Sequence, residues 1–261
     1  MGEGLPNAAA NAANYPSLAG KRVIVSGGAS GIGEGIVEAF VRQRSAVAFV
    51  DMHNEPSEAL VQRLSDADVP PIFVHCDVRD CADYARKIGE LVERLGGCDV
   101  LVNNAANDDR HKVEEVTPEY WDERMAVNLK HQFFAAQAVI PAMRAAGGGS
   151  IVNLGSISWH LALEHLALYQ TAKAAIEGLT RSLAREFGRD NIRVNTIVPG
   201  NVQTPRQMKW YTSEGEAEIV AAQCLDGRIQ PRDIAAMALF LASDDARFCT
   251  AHNYWVDAGW R

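Results

Sequence analysis

The 261-residue chain is 48% apolar and 22% charged, which suits a single soluble α/β domain with a full core and excludes a largely disordered chain. A net charge of −8 argues against a surface built to follow nucleic-acid phosphates or an anionic bilayer. No apolar run approaches the ~18 residues that would cross a membrane, so neither nucleic acid nor membrane is expected as a partner.

In chain order, residues 1–19 lack a basic start and a long apolar stretch, and are expected to form a flexible tail rather than a signal peptide. Residues 20–261 then alternate short apolar runs with helical patterns. The runs are "RVIVS" from 22, "AVAFV" from 46, "PIFVH" from 71, "VLVN" from 100, "SIVNL" from 150, "RVNTIV" from 193 and "YWVD" from 254. Helical patterns lie near 31–44, 58–65, 82–95, 119–145, 166–187 and 231–242. The alternation predicts βαβ units in one Rossmann-type domain, a doubly wound parallel sheet of seven strands flanked by helices. Segment 201–228 fits worst and is expected to be loop and short helices, an insertion at the carboxyl edge where such sheets hold ligands.

The first run leads straight into "GGASGIG". Gly27, Gly31 and Gly33, with Ser30 and Ile32 between them, lie where a strand turns into a helix. Such a turn lets backbone approach a pyrophosphate, and the helix N-terminus offers free N–H groups and a positive dipole end. The spacing G-x-x-x-G-x-G differs from the commoner G-x-G-x-x-G. The second run ends at Asp51, 18 residues past Gly33. A carboxylate there accepts from both hydroxyls of an adenosine ribose and repels a 2′-phosphate, and residues 52–54 (Met, His, Asn) include no Lys or Arg, so NAD is expected over NADP.

Within the helical pattern at 166–187, "YQTAK" places Tyr169 and Lys173 one turn apart on a shared face. Alone, such a pair is an ordinary surface feature. A fixed ammonium beside a phenol, however, favours the phenolate and lowers a pKa that normally lies near 10. Cys76, Cys81, Cys98, Cys224 and Cys249 show no C-x-x-C spacing and are expected to be reduced, as in the cytoplasm. The seven histidines form no H-x-x-x-H pair, and no metal is expected.

Together the glycine loop, "VNNAA" at 102, "MAVNL" at 125, "NLGSIS" at 153, "YQTAK" thirteen residues after Ser156, and "PGNVQT" at 199 resemble the short-chain dehydrogenase/reductase family over residues 20–261. The resemblance implies that Tyr169 is the general acid/base, that Ser156 orients and polarises the reacting oxygen, that Lys173 serves Tyr169 and the ribose, and that Asn128 anchors a water-linked proton relay. It further implies cofactor contacts from Asp77 and Val78 at the adenine, from Asn104 and Ala105 along the wall, and from Pro199, Gly200, Val202 and Thr204 beside the nicotinamide. Ala106 stands where the family's motif usually has Gly.

The stretches "NDDRHK", "GSISWHL", "KWYTSEGEA" and "DAGWR" are similar to those of the family's bacterial NAD-dependent D-xylose 1-dehydrogenases. That similarity implies oxidation of a cyclic pentose at its anomeric carbon to the aldonolactone. Their mixture of amide, carboxylate, guanidinium and indole groups suits a sugar. Asn107, Asp108, Arg110, Trp159, His160, Asn201, Gln203 and Tyr211, with Ser156 and Tyr169, are expected to contact it. Rival readings are an L-arabinose or other aldose 1-dehydrogenase, an NADH-dependent ketone reductase, and a catalytically silent NAD-binding regulator. The family is typically tetrameric, which implies a homotetramer, with Trp260 and Arg261 expected to build a subunit contact or close a neighbouring site.

Overall fold

The computed structural model describes residues 13–209 and 211–260. Among these residues the strands are β1 (Arg22–Ser26), β2 (Ala46–Asp51), β3 (Ile72–His75), β4 (Val100–Asn103), β5 (Gly149–Leu154), β6 (Ile192–Pro199) and β7 (Asn253–Val256). The helices are α1 (Gly31–Arg42), α2 (Asn54–Arg63), α3 (Cys81–Leu95), α4 (Pro118–Met125), α5 (His131–Ala145), α6 (Ala167–Phe187), α7 (Ser213–Ala221) and α8 (Pro231–Ala242). The strands form one parallel sheet in the order β3-β2-β1-β4-β5-β6-β7.

Both faces of this sheet are covered, which is why its strands read as continuous apolar runs. Within β1, Val23 and Val25 join one core with Phe40, Phe49, Ile234 and Leu239, from the α1 and α8 side. Ile24 points the other way, into a second core with Tyr84, Ile88, Leu101, Val139 and Met143 on the α3 and α5 side. The chain winds outward from β1 to β3, then crosses back to β4 and winds the other way. A crevice opens at that reversal, beyond the carboxyl ends of the strands.

Two expectations need correction. Within the stretch expected as a tail over residues 1–19, Pro16–Leu18 instead form a single 3-10 turn, Leu18 is fully buried, and Ser45 Oγ donates to its carbonyl at 2.8 Å. An apolar side chain in the core anchors this stretch; residues 1–12 lie outside the described residues. The long helix expected over 119–145 is divided, because Ala126–Lys130 form a π-helical turn between α4 and α5. One extra residue in a turn changes neither composition nor polarity enough to be read from the sequence, and such turns frequently mark functional sites.

Candidate active site

The carboxyl ends of the strands open into a cavity of about 570 Å³. At one end the chain leaves β1 through Gly27 (φ 67°), whose N–H donates to Val50 O at 2.8 Å. A Cβ on Gly27 would lie 2.9 Å from Ala105 Cα, and one on Gly33 would run into Gly27 O, so the turn closes only with glycine at both places. Side chains cap the N-termini of α3 (Asp80), α4 (Thr117) and α7 (Thr212), whereas Ser30 makes no side-chain cap on α1. The first-turn N–H groups of α1 are left for an anion. Ser26 and Asn104 tie the turn to the end of β4: Ser26 Oγ accepts from the N–H groups of Asn104 and Ala105, and Asn104 Nδ2 donates to the carbonyls of Ser26 and Gly27.

Asp51 lines the same end of the cavity and is oriented by the backbone N–H groups of Ala29 and His53, each at 3.0 Å. Asp77, expected at the adenine, is held by the Arg79 guanidinium, which keeps its carboxyl below the usual range. Arg79 also reaches Glu123. Every residue expected to hold the cofactor lines this one cavity: Gly27, Ser30, Gly31, Ile32, Gly33, Asp51, Asp77, Val78, Asn104, Ala105, Tyr169, Lys173, Pro199, Gly200, Val202 and Thr204.

In the middle of the cavity Ser156, Tyr169 and Lys173 converge. A buried polar line sets the height of α6 against the sheet: Asn103 donates to Asn153, Asn153 to Thr180, and Thr180 meets Thr196. One turn of α6 then brings Lys173 Nζ within 5.4 Å of the Tyr169 ring centroid. Lys173 is 1% exposed and donates to Leu154 O at 2.7 Å. Burial pulls its pKa down to about 7, against the opposing pull of Asp108. Burial also pushes the Tyr169 phenol up, as does the Asp108 carboxylate, while a hydrogen bond with Ser156 and the charge of Arg206 pull it down. Ser156 Oγ in turn contacts Ser158 Oγ at 2.9 Å.

Asn128 lies in the π-helical turn and is fully buried, behind the wall rather than on it. Its Oδ1 accepts from Asn107 N at 2.8 Å, and its Nδ2 donates to the carbonyls of Asn107 and Arg124. The side chain is therefore fully engaged in fixing the loop that follows β4.

Of the residues expected at the substrate, Asn107, Asp108, Arg110, Ser156, Tyr169, Asn201 and Tyr211 line the cavity. Trp159, His160 and Gln203 do not. After Ser156 the chain makes a 3-10 turn, Ile157–Trp159, that carries Trp159 and His160 outward: both rings hydrogen-bond Glu177 on α6, and His160 packs between Trp159 and Trp255. Gln203 is turned away because its amide pairs with Gln230.

Residues the sequence reading passed over take their places. Arg206 ion-pairs with Asp108 at 2.9 Å and with Asp109 at 2.7 Å, and also donates to Asn107 Oδ1. Gln207 donates to Asp108 and accepts from the Tyr211 hydroxyl, which itself accepts from Asn201. These contacts tie Asn201, Arg206, Gln207 and Tyr211 to the loop after β4. Leu161, Leu163 and Leu166 add an apolar flank, and Trp260 lines this chain's own cavity. The nearest sequence signal was position: Arg206 and Gln207 directly follow "PGNVQTP". Arg261 lies outside the described residues.

A family model described as enoyl-(acyl carrier protein) reductase matches residues 27–261. The chain is 57% identical over 251 residues to the D-xylose 1-dehydrogenase of Caulobacter vibrioides (strain NA1000 / CB15N), covering 96% of this chain and 100% of that one. It belongs to the short-chain dehydrogenase/reductase family. It is also 46% identical to the "Probable galactose dehydrogenase GalD" of Rhizobium meliloti (strain 1021), over 94% of this chain and 96% of that protein. A blue fluorescent protein from a metagenomic library, solved in complex with NADPH, superimposes with a TM-score of 0.87 at 33% identity, covering 94% of this chain and 99% of that one.

As a short-chain dehydrogenase/reductase the chain is an oxidoreductase of the nicotinamide-dinucleotide type. Its own geometry fits that group: the glycine turn, the uncapped N-terminus of α1 and the oriented carboxylate of Asp51 form one continuous wall. Among the described residues no three His, Cys, Asp or Glu side chains gather as they would around a metal ion, and no helix is long and apolar enough to cross a membrane.

Proposed function

We propose that this protein is an NAD-dependent aldose 1-dehydrogenase that oxidises cyclic D-xylose at its anomeric carbon to the aldonolactone. The observation that carries the reading is the meeting of Ser156, Tyr169 and Lys173 in a cavity also lined by Asn107, Asp108, Asn201 and Tyr211. The extended similarity to a D-xylose 1-dehydrogenase supports the choice of sugar. Preference for NAD rests on Asp51, whose charge opposes a 2′-phosphate.

In this reading Tyr169 takes the proton of the anomeric hydroxyl as general base, while Ser156 holds that oxygen as it changes from alcohol to carbonyl. In its protonated form Lys173, buried beside the phenol, favours the phenolate. Asn128 acts through position, fixing Asn107 and with it the wall that faces the sugar. Bound NAD supplies the hydride acceptor for C1. Asp108, Arg110, Asn201 and Tyr211 supply donors and acceptors for the remaining hydroxyls.

The free cysteines suit the cytoplasm. Exposed Trp121, Phe133 and Phe248 suit association into a homotetramer, which light scattering tests: a fully active monomer rejects it.

The test of function is to supply the purified protein with NAD or NADP and, one at a time, with D-xylose, L-arabinose, D-galactose and D-glucose, and to follow the reduced cofactor. D-Xylose with NAD is expected to give the highest kcat/KM. Preference for L-arabinose would move the assignment to its C4-epimeric rival, and turnover of no aldose would reject the reading.

A further inference from the structure

With Trp159 turned outward onto Glu177, the aldose reading lacks the aromatic face expected from that residue. The turn that follows β7 offers another. Ala258 and Gly259 both adopt left-handed backbone (φ 54° and 81°), a conformation that costs an alanine energy and persists where its surroundings impose it.

Those surroundings are specific. Ala258 O accepts from the N–H groups of Cys224 (2.8 Å) and Leu225 (3.2 Å), and Gly259 O accepts from Cys224 Sγ. Within the turn, Gly259 N donates to Asp257 Oδ1 and Trp260 N donates to Asp257 O. On one side a Cβ on Gly259 would lie 2.8 Å from Cys224 Sγ; on the other a Cβ on Gly200 would lie 2.7 Å from Asp257 Cα. The turn is thus clamped between the segment after α7 and the Pro199–Gly200 bend. What it delivers is a half-buried indole on the wall of the cavity that holds Ser156, Tyr169, Asn201 and Tyr211.

We propose that Trp260 is the specificity-determining aromatic of this site, stacking on the C–H face of the sugar ring and thereby setting affinity for a pyranose. The inference rests on the aldose 1-dehydrogenase reading. A pyranose carries axial C–H bonds on its faces and hydroxyls on its rim, so an indole reads the face while amides and carboxylates read the rim. A ring held on a strained, cross-tied turn loses little freedom when it binds, which makes it a better platform than a mobile side chain.

Trp260→Ala, Trp260→Phe and, as a control, Trp159→Phe are compared with wild type for kcat and for KM of D-xylose and NAD. Trp260→Ala is expected to raise the KM for D-xylose about tenfold and Trp260→Phe about threefold, with the KM for NAD and thermal midpoint held. Trp159→Phe should leave both KM values within about twofold. An independent readout is tryptophan emission in the presence of NADH, where hydride transfer to the cofactor is blocked. Added D-xylose should perturb it in wild type and Trp159→Phe, and not in Trp260→Phe. Wild-type turnover of D-xylose with unchanged sugar KM in Trp260→Ala would overturn the role of Trp260 alone. A rise in both KM values with a lowered thermal midpoint would replace it with a packing role. No turnover of any aldose by wild type would overturn the aldose reading and this inference with it.

Discussion

The two ends of the cleft are built differently. The end assigned to the cofactor is made of strand termini and the turns that leave them, with Gly27 and Gly33 packed against neighbouring backbone and Asp51 fixed by two N–H groups. The end assigned to the sugar is made of loops after β4, β5, β6 and β7, joined by side chains such as Arg206, Gln207 and Tyr211. Backbone-built walls tolerate one ligand shape; side-chain-built walls can be rewritten without disturbing the sheet. The difference predicts that substitutions should separate into those that touch cofactor and those that touch sugar, with Tyr169 and Lys173 at the junction.

The largest effect is expected at that junction. Tyr169→Phe should lower kcat about a thousandfold with NAD binding, followed by cofactor fluorescence or calorimetry, unchanged. Lys173→Ala should damage both, because the ammonium serves the phenol and lies against the cofactor wall. Next is Asp51→Ala, expected to raise the KM for NAD about tenfold while improving use of NADP and leaving the KM for sugar alone. Unchanged cofactor preference would break the division at its cofactor end.

A smaller and more diagnostic pair concerns Asp108 and Arg206. Asp108 pushes the Tyr169 phenol up and Arg206 pulls it down. Oxidation needs the phenol ionised, so activity rises with pH through its pKa. Asp108→Asn should therefore move the rising limb of the pH–rate profile to lower pH, and Arg206→Gln should move it to higher pH, each by less than about one unit. Shifts of the same sign would show that the pair acts by folding the segment down rather than by charge. The smallest effect is expected for His160→Gln, whose ring lies outside the cleft against Glu177: kinetic constants should stay within about twofold.

The same contrast explains what could be read from the sequence. Apolar runs covered on both faces and a glycine turn that only glycine can make leave marks in local pattern, so the sheet and the cofactor end were legible. Helical spacing put Tyr169 and Lys173 on a shared face, but their roles, like that of Ser156, were legible only through the family resemblance. Trp159 and His160 were misplaced because their distance from Ser156 says nothing about which side a single 3-10 turn presents. Arg206 and Gln207 escaped notice because their meaning depends on Asp108, about a hundred positions earlier, and such a pairing exists only in three dimensions. The π-helical turn was hidden for a related reason: Asn128 bonds to Asn107, and the local sequence reads as uninterrupted helix.

Oxidation of the anomeric carbon of a pentose with NAD is the reaction proposed for this cleft. It is tested most directly by mixing the purified protein with NAD and D-xylose and measuring NADH and aldonolactone together. Both are expected in equal amounts, and both about a thousandfold more slowly with Tyr169→Phe. Absence of NADH with every aldose offered, or its formation undiminished in Tyr169→Phe, would contradict it.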